Sequence, residues 1–245
     1  MSAARRLGRG LTLGGRVPAA VGAVLAVTLA ASLFAAVGER NGLPLLRLGL
    51  LEPRAVFRGE VWRLVTWVLF ERDPLNLLFG GIVLYWAGRD LCEAWGERRF
   101  LLVYFGTAAA AGLLASAVAG LVWPALLDMV WVGFWPVLDA LVIAWALLYP
   151  HRQILLFFAL PVSGQALLLL TVGGTLLYAV FSGFAPFLPH LFAEGAAYLY
   201  ASGRGPGQWL RRIRFPRIGR RRPFSVIHVD RDPDRRWMNR VGAGS

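Results

Sequence analysis

Three long runs in this chain contain no charged residue: 17–37, 100–127 and 153–189, of 21, 28 and 37 residues. At about 1.5 Å rise per helical residue, roughly 20 apolar residues cross a hydrocarbon core of about 30 Å. The chain must therefore place several segments in a bilayer, and the third run is too long for one helix. Composition agrees. Hydrophobic residues make up 57% and charged residues 16% of the 245 positions, against about 45–50% and 25% in soluble domains. A soluble globular protein, a disordered chain and a disulfide scaffold are all excluded, and Cys92 is the lone cysteine.

Between and beside these runs the apolar pattern gives six spans, at about 17–37, 74–91, 100–123, 130–149, 154–177 and 187–202. The fourth is interrupted only by Asp139, and the fifth and sixth are separated by a Gly/Ser/Pro-bearing turn near 182–186. The first span, preceded by Arg5, Arg6, Arg9 and Arg16, exceeds the apolar length of a signal peptide and is expected to be retained. Domain organisation follows: a basic N-terminus over 1–16, a six-helix all-α membrane domain over 17–202, and an Arg-rich tail over 203–245.

The cationic residues orient the chain. All 26 are arginine, against 14 acids. On a six-span topology twenty lie on the side of the two termini and six (Arg40, Arg47, Arg54, Arg58, Arg63, Arg72) on the other. The positive-inside rule then puts both termini in the cytoplasm. The arginine-only set suggests a GC-rich bacterial source and hence a bacterial plasma membrane. In the tail, residues 204–222 carry eight arginines with Trp209 and Phe215 interleaved. That pattern suits anionic lipid headgroups beside a membrane helix, and no nucleic-acid partner is expected. Residues 224–229 alternate like a strand.

Motifs set on these spans resemble the rhomboid family of six-helix intramembrane serine proteases, over roughly 17–202. Glu60, Trp62 and Arg63 match the Glu-x-Trp-Arg signature of that family's first loop. Gly88, Leu91, Gly96 and Arg99-Phe100-Leu101 are similar to its junction between the second and third helices, and 147–155 to the link between the fourth and fifth. His190 stands where the catalytic histidine belongs.

The resemblance implies a serine in Gly-x-Ser-Gly, activated by that histidine, with an oxyanion-binding His-x-x-x-Asn on the second helix. In this chain the first motif reads Gly133-Phe134-Trp135-Pro136 and the second Asn76-Leu77-Leu78-Phe79-Gly80. Trp135 has no nucleophilic atom, Pro136 has no N–H to offer an oxyanion, and Gly80 has no side chain. The resemblance therefore implies a pseudoprotease that binds or sorts transmembrane clients. Its competitor is a protease with a displaced nucleophile, for which Ser163 in Val162-Ser163-Gly164 is the candidate. Ser163 precedes His190 by only 27 residues, too few for the two spans of about 20 residues each that must intervene. A helix start is the expected role of Ser163, its hydroxyl bonding back to the i−4 carbonyl.

Asp139, His190 and Glu194 are the ionisable groups deep within the spans. Such groups are costly in a bilayer and are expected to face inward and find partners. His190 and Glu194 are one turn apart, as are Trp135 and Asp139. Asp139 and His190 are therefore expected within hydrogen-bonding reach, forming a polar clasp; a metal or proton site with Glu194 is the sharper alternative, and a carrier using Asp139 and Glu194 ranks last. No cofactor is expected.

Overall fold

The computed structural model describes residues 17–156 and 160–203. The Arg-rich stretch at 204–222, the alternating segment at 224–229 and the basic residues before 17 lie outside the described residues.

Nine α-helices and one hairpin make up the described fold, with 3-10 turns at Trp67–Leu69, Pro124–Leu126 and Ala185–Phe187. The helices are α1 (Ala19–Arg40), α2 (Leu45–Gly49), α3 (Pro53–Phe57), α4 (Arg63–Thr66), α5 (Pro74–Trp95), α6 (Glu97–Leu121), α7 (Trp135–Leu148), α8 (Gly164–Ser182) and α9 (Leu188–Ala201). The protein is an all-α membrane protein: α1, α6 and α8 are each long and apolar enough to cross a bilayer. α5 has the length but carries Arg89, Asp90 and Glu93 near its end, while α7 and α9 are each 14 residues long.

Local chemistry explains the boundaries. Asp73 caps α5, its Oδ1 accepting from the N–H of Leu75 at 2.7 Å and of Asn76 at 3.1 Å, and Pro74 occupies the first turn, where its missing N–H costs nothing. Gly96, at φ 82°, makes the reversal into α6 with one residue, in a conformation closed to most side chains. On α6 the buried ladder Ala108, Ala111, Ala115 and Ala119 presents a smooth face. It admits close neighbours: the Phe57 ring of α3 lies against Gly120, and Leu51 against Gly112.

α7 is the hub. Ten of its 14 residues are buried, from Pro136 to Ala146 with Asp139 the exception, and α5, α6, α8 and α9 all pack on it. A helix apolar on every side belongs in an interior. α8 is its opposite: only Gly164, Leu167, Thr175 and Ala179 are buried, while Leu169, Tyr178, Val180 and Phe181 face outward.

Two elements differ from the sequence expectation. Residues assigned to the start of the fifth span form instead an antiparallel hairpin, β1 (Gln153–Leu156) with β2 (Leu160–Ser163), in the register Gln153 opposite Ser163. The helix begins only at Gly164, because Ser163 caps it, its hydroxyl accepting from the Ala166 N–H at 3.2 Å. That cap replaces the expected bond to the i−4 carbonyl. The fourth helix likewise begins at Trp135 rather than 130, since Trp131 is committed to a β-bridge with Leu51.

Candidate functional site

The site lies along α7, on which α5 and α9 both pack, and the segment entering α7 is tied down by hydrogen bonds. Leu51 and Trp131 exchange backbone hydrogen bonds at 3.0 and 2.9 Å, and the Trp131 indole donates to the Ala185 carbonyl at 3.1 Å. Gly133 follows at φ 108°, its N–H donating to the Trp67 carbonyl at 3.2 Å. The Glu71 carboxylate stands beside Gly133; a Cβ there would come within 2.9 Å of Glu71 Oε2. Burial pushes the Glu71 carboxyl above its ordinary value of 4.5, against the pull of the Arg72 and Asp73 N–H groups that it accepts.

Three positions that the resemblance assigns to catalysis hold no catalytic group. Trp135 is the first residue of α7, and its indole nitrogen is buried without a partner among the described residues. Pro136, in the first turn, is buried. Gly80 lies under the wholly buried ring of Phe134: a Cβ on Gly80 would meet Phe134 Cζ at 2.5 Å and Leu138 Cδ1 at 3.1 Å. An asparagine there has no room, because the phenyl ring fills the space its amide would need. Asn76 is exposed in the first turn of α5.

The sequence grouped Asp139, His190 and Glu194; the structure distributes them over two contacts. His190 Nδ1 lies 2.7 Å from Asp139 Oδ2, joining α9 to α7. The two side chains are 21% and 18% exposed, and the Phe187 ring sits against the imidazole at 5.5 Å between centroids. One turn along, Glu194 is 4% exposed and accepts from the Thr175 hydroxyl at 2.5 Å, joining α9 to α8. Among the described residues no group of three His, Cys, Asp or Glu side chains is placed to hold a metal ion. Thr175 escaped sequence reasoning; α8 also carries the hydroxyls of Thr171, Tyr178 and Ser182, so nothing in the sequence singled it out.

The first-loop residues form a separate hub. Arg63 is 7% exposed; its Nε donates to Glu60 Oε2 at 2.7 Å and one Nη to the carbonyls of Arg47 at 2.5 Å and Leu50 at 2.8 Å. The Trp62 indole donates to the Leu48 carbonyl at 3.2 Å and the Thr66 hydroxyl to that of Gly49 at 3.0 Å. These bonds satisfy the backbone of α2, which is too short to satisfy its own.

Apolar helices around a buried central helix, with Asp139, His190 and Glu194 paired inward, define an integral membrane protein. The chain belongs to the family described as eukaryotic integral membrane protein (DUF1751), whose model matches residues 21–202. That description gives no support to the expected bacterial plasma membrane. No curated protein matches the chain.

Proposed function

We propose that the protein is a catalytically inert, rhomboid-like membrane protein that binds or sorts transmembrane segments of client proteins. On this reading α1, α5, α6, α7, α8 and α9 are six spans with both ends in the cytoplasm, and the Arg-rich tail rests on anionic headgroups. The order of six helices supports the scaffold, as do the Glu60-Val61-Trp62-Arg63 motif in the first loop and a histidine near the start of the last helix.

The observation that carries the inert part is the filled position over Gly80, next to an α7 that opens on Trp135. Proteolysis needs a nucleophile, a base free to activate it and donors around the developing oxyanion. Here an indole stands first in α7 where the nucleophile would be, so the imidazole, held by Asp139 through Nδ1, has no hydroxyl at that position to activate, and a phenyl ring occupies the donor's place. Asp139 and His190 then serve as a clasp between α7 and α9 in place of a catalytic dyad. Ser163 is spent on capping α8, which disfavours the displaced-nucleophile reading.

Affinity capture of the full chain from solubilised membranes tests the client-binding part. The expected outcome is single-span membrane proteins enriched over a capture with an unrelated multispan protein. Recovery no greater than that control contradicts the proposal.

A further inference from the structure

The arginines at the helix ends are not equivalent. Arg54 pairs with Asp128, Arg63 with Glu60 and Arg152 with Asp90. Arg99 is as firmly held, yet among the described residues it has no acid within ion-pair distance. Its Nε donates to the Tyr200 hydroxyl at 2.5 Å, and its guanidinium carbon lies 5.4 Å from the Tyr200 ring centre and 5.8 Å from that of Trp95. Those rings meet edge to face at 5.8 Å. The nearest acid in sequence, Glu97, accepts instead from the Ala19 N–H at 3.0 Å. Arg98, beside it, is exposed.

These contacts hold the side chain through Nε and beside two aromatic rings while leaving both terminal nitrogens without a protein acceptor among the described residues. A guanidinium ordered in advance has already given up much of the rotamer freedom that binding would cost. Its planar fork matches the paired oxygens of a phosphate group. The position suits that ligand too. Trp95 ends α5, Arg99 lies in the first turn of α6 and Tyr200 lies in the last turn of α9. Tryptophan and tyrosine at helix ends mark the headgroup level, where lipid phosphates are concentrated.

We propose that Arg99, held against the edge-to-face pair of Trp95 and Tyr200, is a binding site for a phosphate group, with an anionic membrane lipid as its first source. The proposal is independent of whether the protein binds clients.

Native mass spectrometry of the full chain, released from phosphatidylcholine vesicles doped with phosphatidic acid, tests it. Arg99→Gln is expected to weaken the tightest phosphatidic acid site about tenfold, with phosphatidylcholine retention unchanged. The tail is common to both proteins and cancels in the comparison. Tyr200→Phe frees Nε and is expected to weaken the site less. Arg99→Lys keeps the charge but not the planar fork, and is expected to lose most of the affinity. Phosphatidic acid that survives added inorganic phosphate supports a lipid ligand; displacement by phosphate supports the same site with a soluble one. Wild-type phosphatidic acid affinity in a folded Arg99→Gln protein overturns the proposal. If the glutamine variant does not fold, wild-type affinity in Arg99→Lys overturns it equally.

Discussion

Two polar hubs, Arg63 in the first loop and His190 at the head of α9, are built on opposite plans. Arg63 is almost wholly buried and spends its donors on one carboxylate and two backbone carbonyls from another segment. His190 is about one-fifth exposed, makes one bond to Asp139 and keeps its second ring nitrogen unspent among the described residues. The first plan is that of a strut. The second, on the function proposed above, is a pair without a hydroxyl to activate. The comparison teaches that a polar group bonded to several partners holds a loop, while one with a ring nitrogen to spare joins two helices by a single bond.

Breaking the strut is expected to have the largest effect. Arg63→Ala leaves Glu60 and two carbonyls without their donor and should cost on the order of 3 kcal/mol. Thermal unfolding checks the loss, and faster hydrogen exchange at residues 45–66 locates it. Glu60→Gln, which leaves Arg63 its carbonyl partners, should cost clearly less. Equal losses in the two variants would mean that the ion pair, rather than the backbone bonds, holds the loop.

Filling the donor position comes next. Gly80→Asn must displace the Phe134 ring and Leu138 from a packed interior, at about 1–3 kcal/mol. Pairing it with Phe134→Ala should recover part of that loss, since the amide then occupies the ring's space. No recovery in the double variant would place the clash elsewhere.

The α7–α9 clasp is weaker. Asp139→Asn and His190→Ala should each cost about 1–2 kcal/mol, and the double variant should be no worse than the poorer single one. Additive losses would show that the two groups act apart.

The smallest effect is expected at Glu71. Its folded-state pKa is raised above 4.5, chiefly by burial, so between that value and the higher folded one the native state binds more protons than the unfolded. Stability therefore falls as pH rises through this window. Glu71→Gln keeps an acceptor for the Arg72 and Asp73 N–H groups and should melt slightly higher than wild type at neutral pH, with a flatter dependence on the acid side. A lower melting temperature at neutral pH contradicts this account of Glu71.

Much of the frame was legible because apolar runs, Pro74, Gly96 and the flanking arginines mark helix ends in physical terms. The hairpin was not. Residues 154–162 are apolar throughout, and a short apolar run has no period that separates strand from helix; only Pro161 and the Ser163 cap hinted at the break. The helices of the first loop were equally opaque, since α2, α3 and α4 have only four or five residues: α2 is held by bonds from Arg63, Trp62 and Thr66, and α3 by the Arg54 N–H on the Leu127 carbonyl, rather than by propensity. At the site, the pairing of Asp139 with His190 follows from helical spacing on the resemblance, whereas the Phe134 ring over Gly80 depends on a rotamer that no spacing reveals.

The inert site is tested most directly by labelling the full chain in membranes with a fluorophosphonate, which reacts only with an activated serine. The account predicts no labelled serine above a heat-denatured control. Labelling of Ser163, Ser182 or another serine that disappears in His190→Ala would contradict it, because it would show the imidazole still activating a hydroxyl.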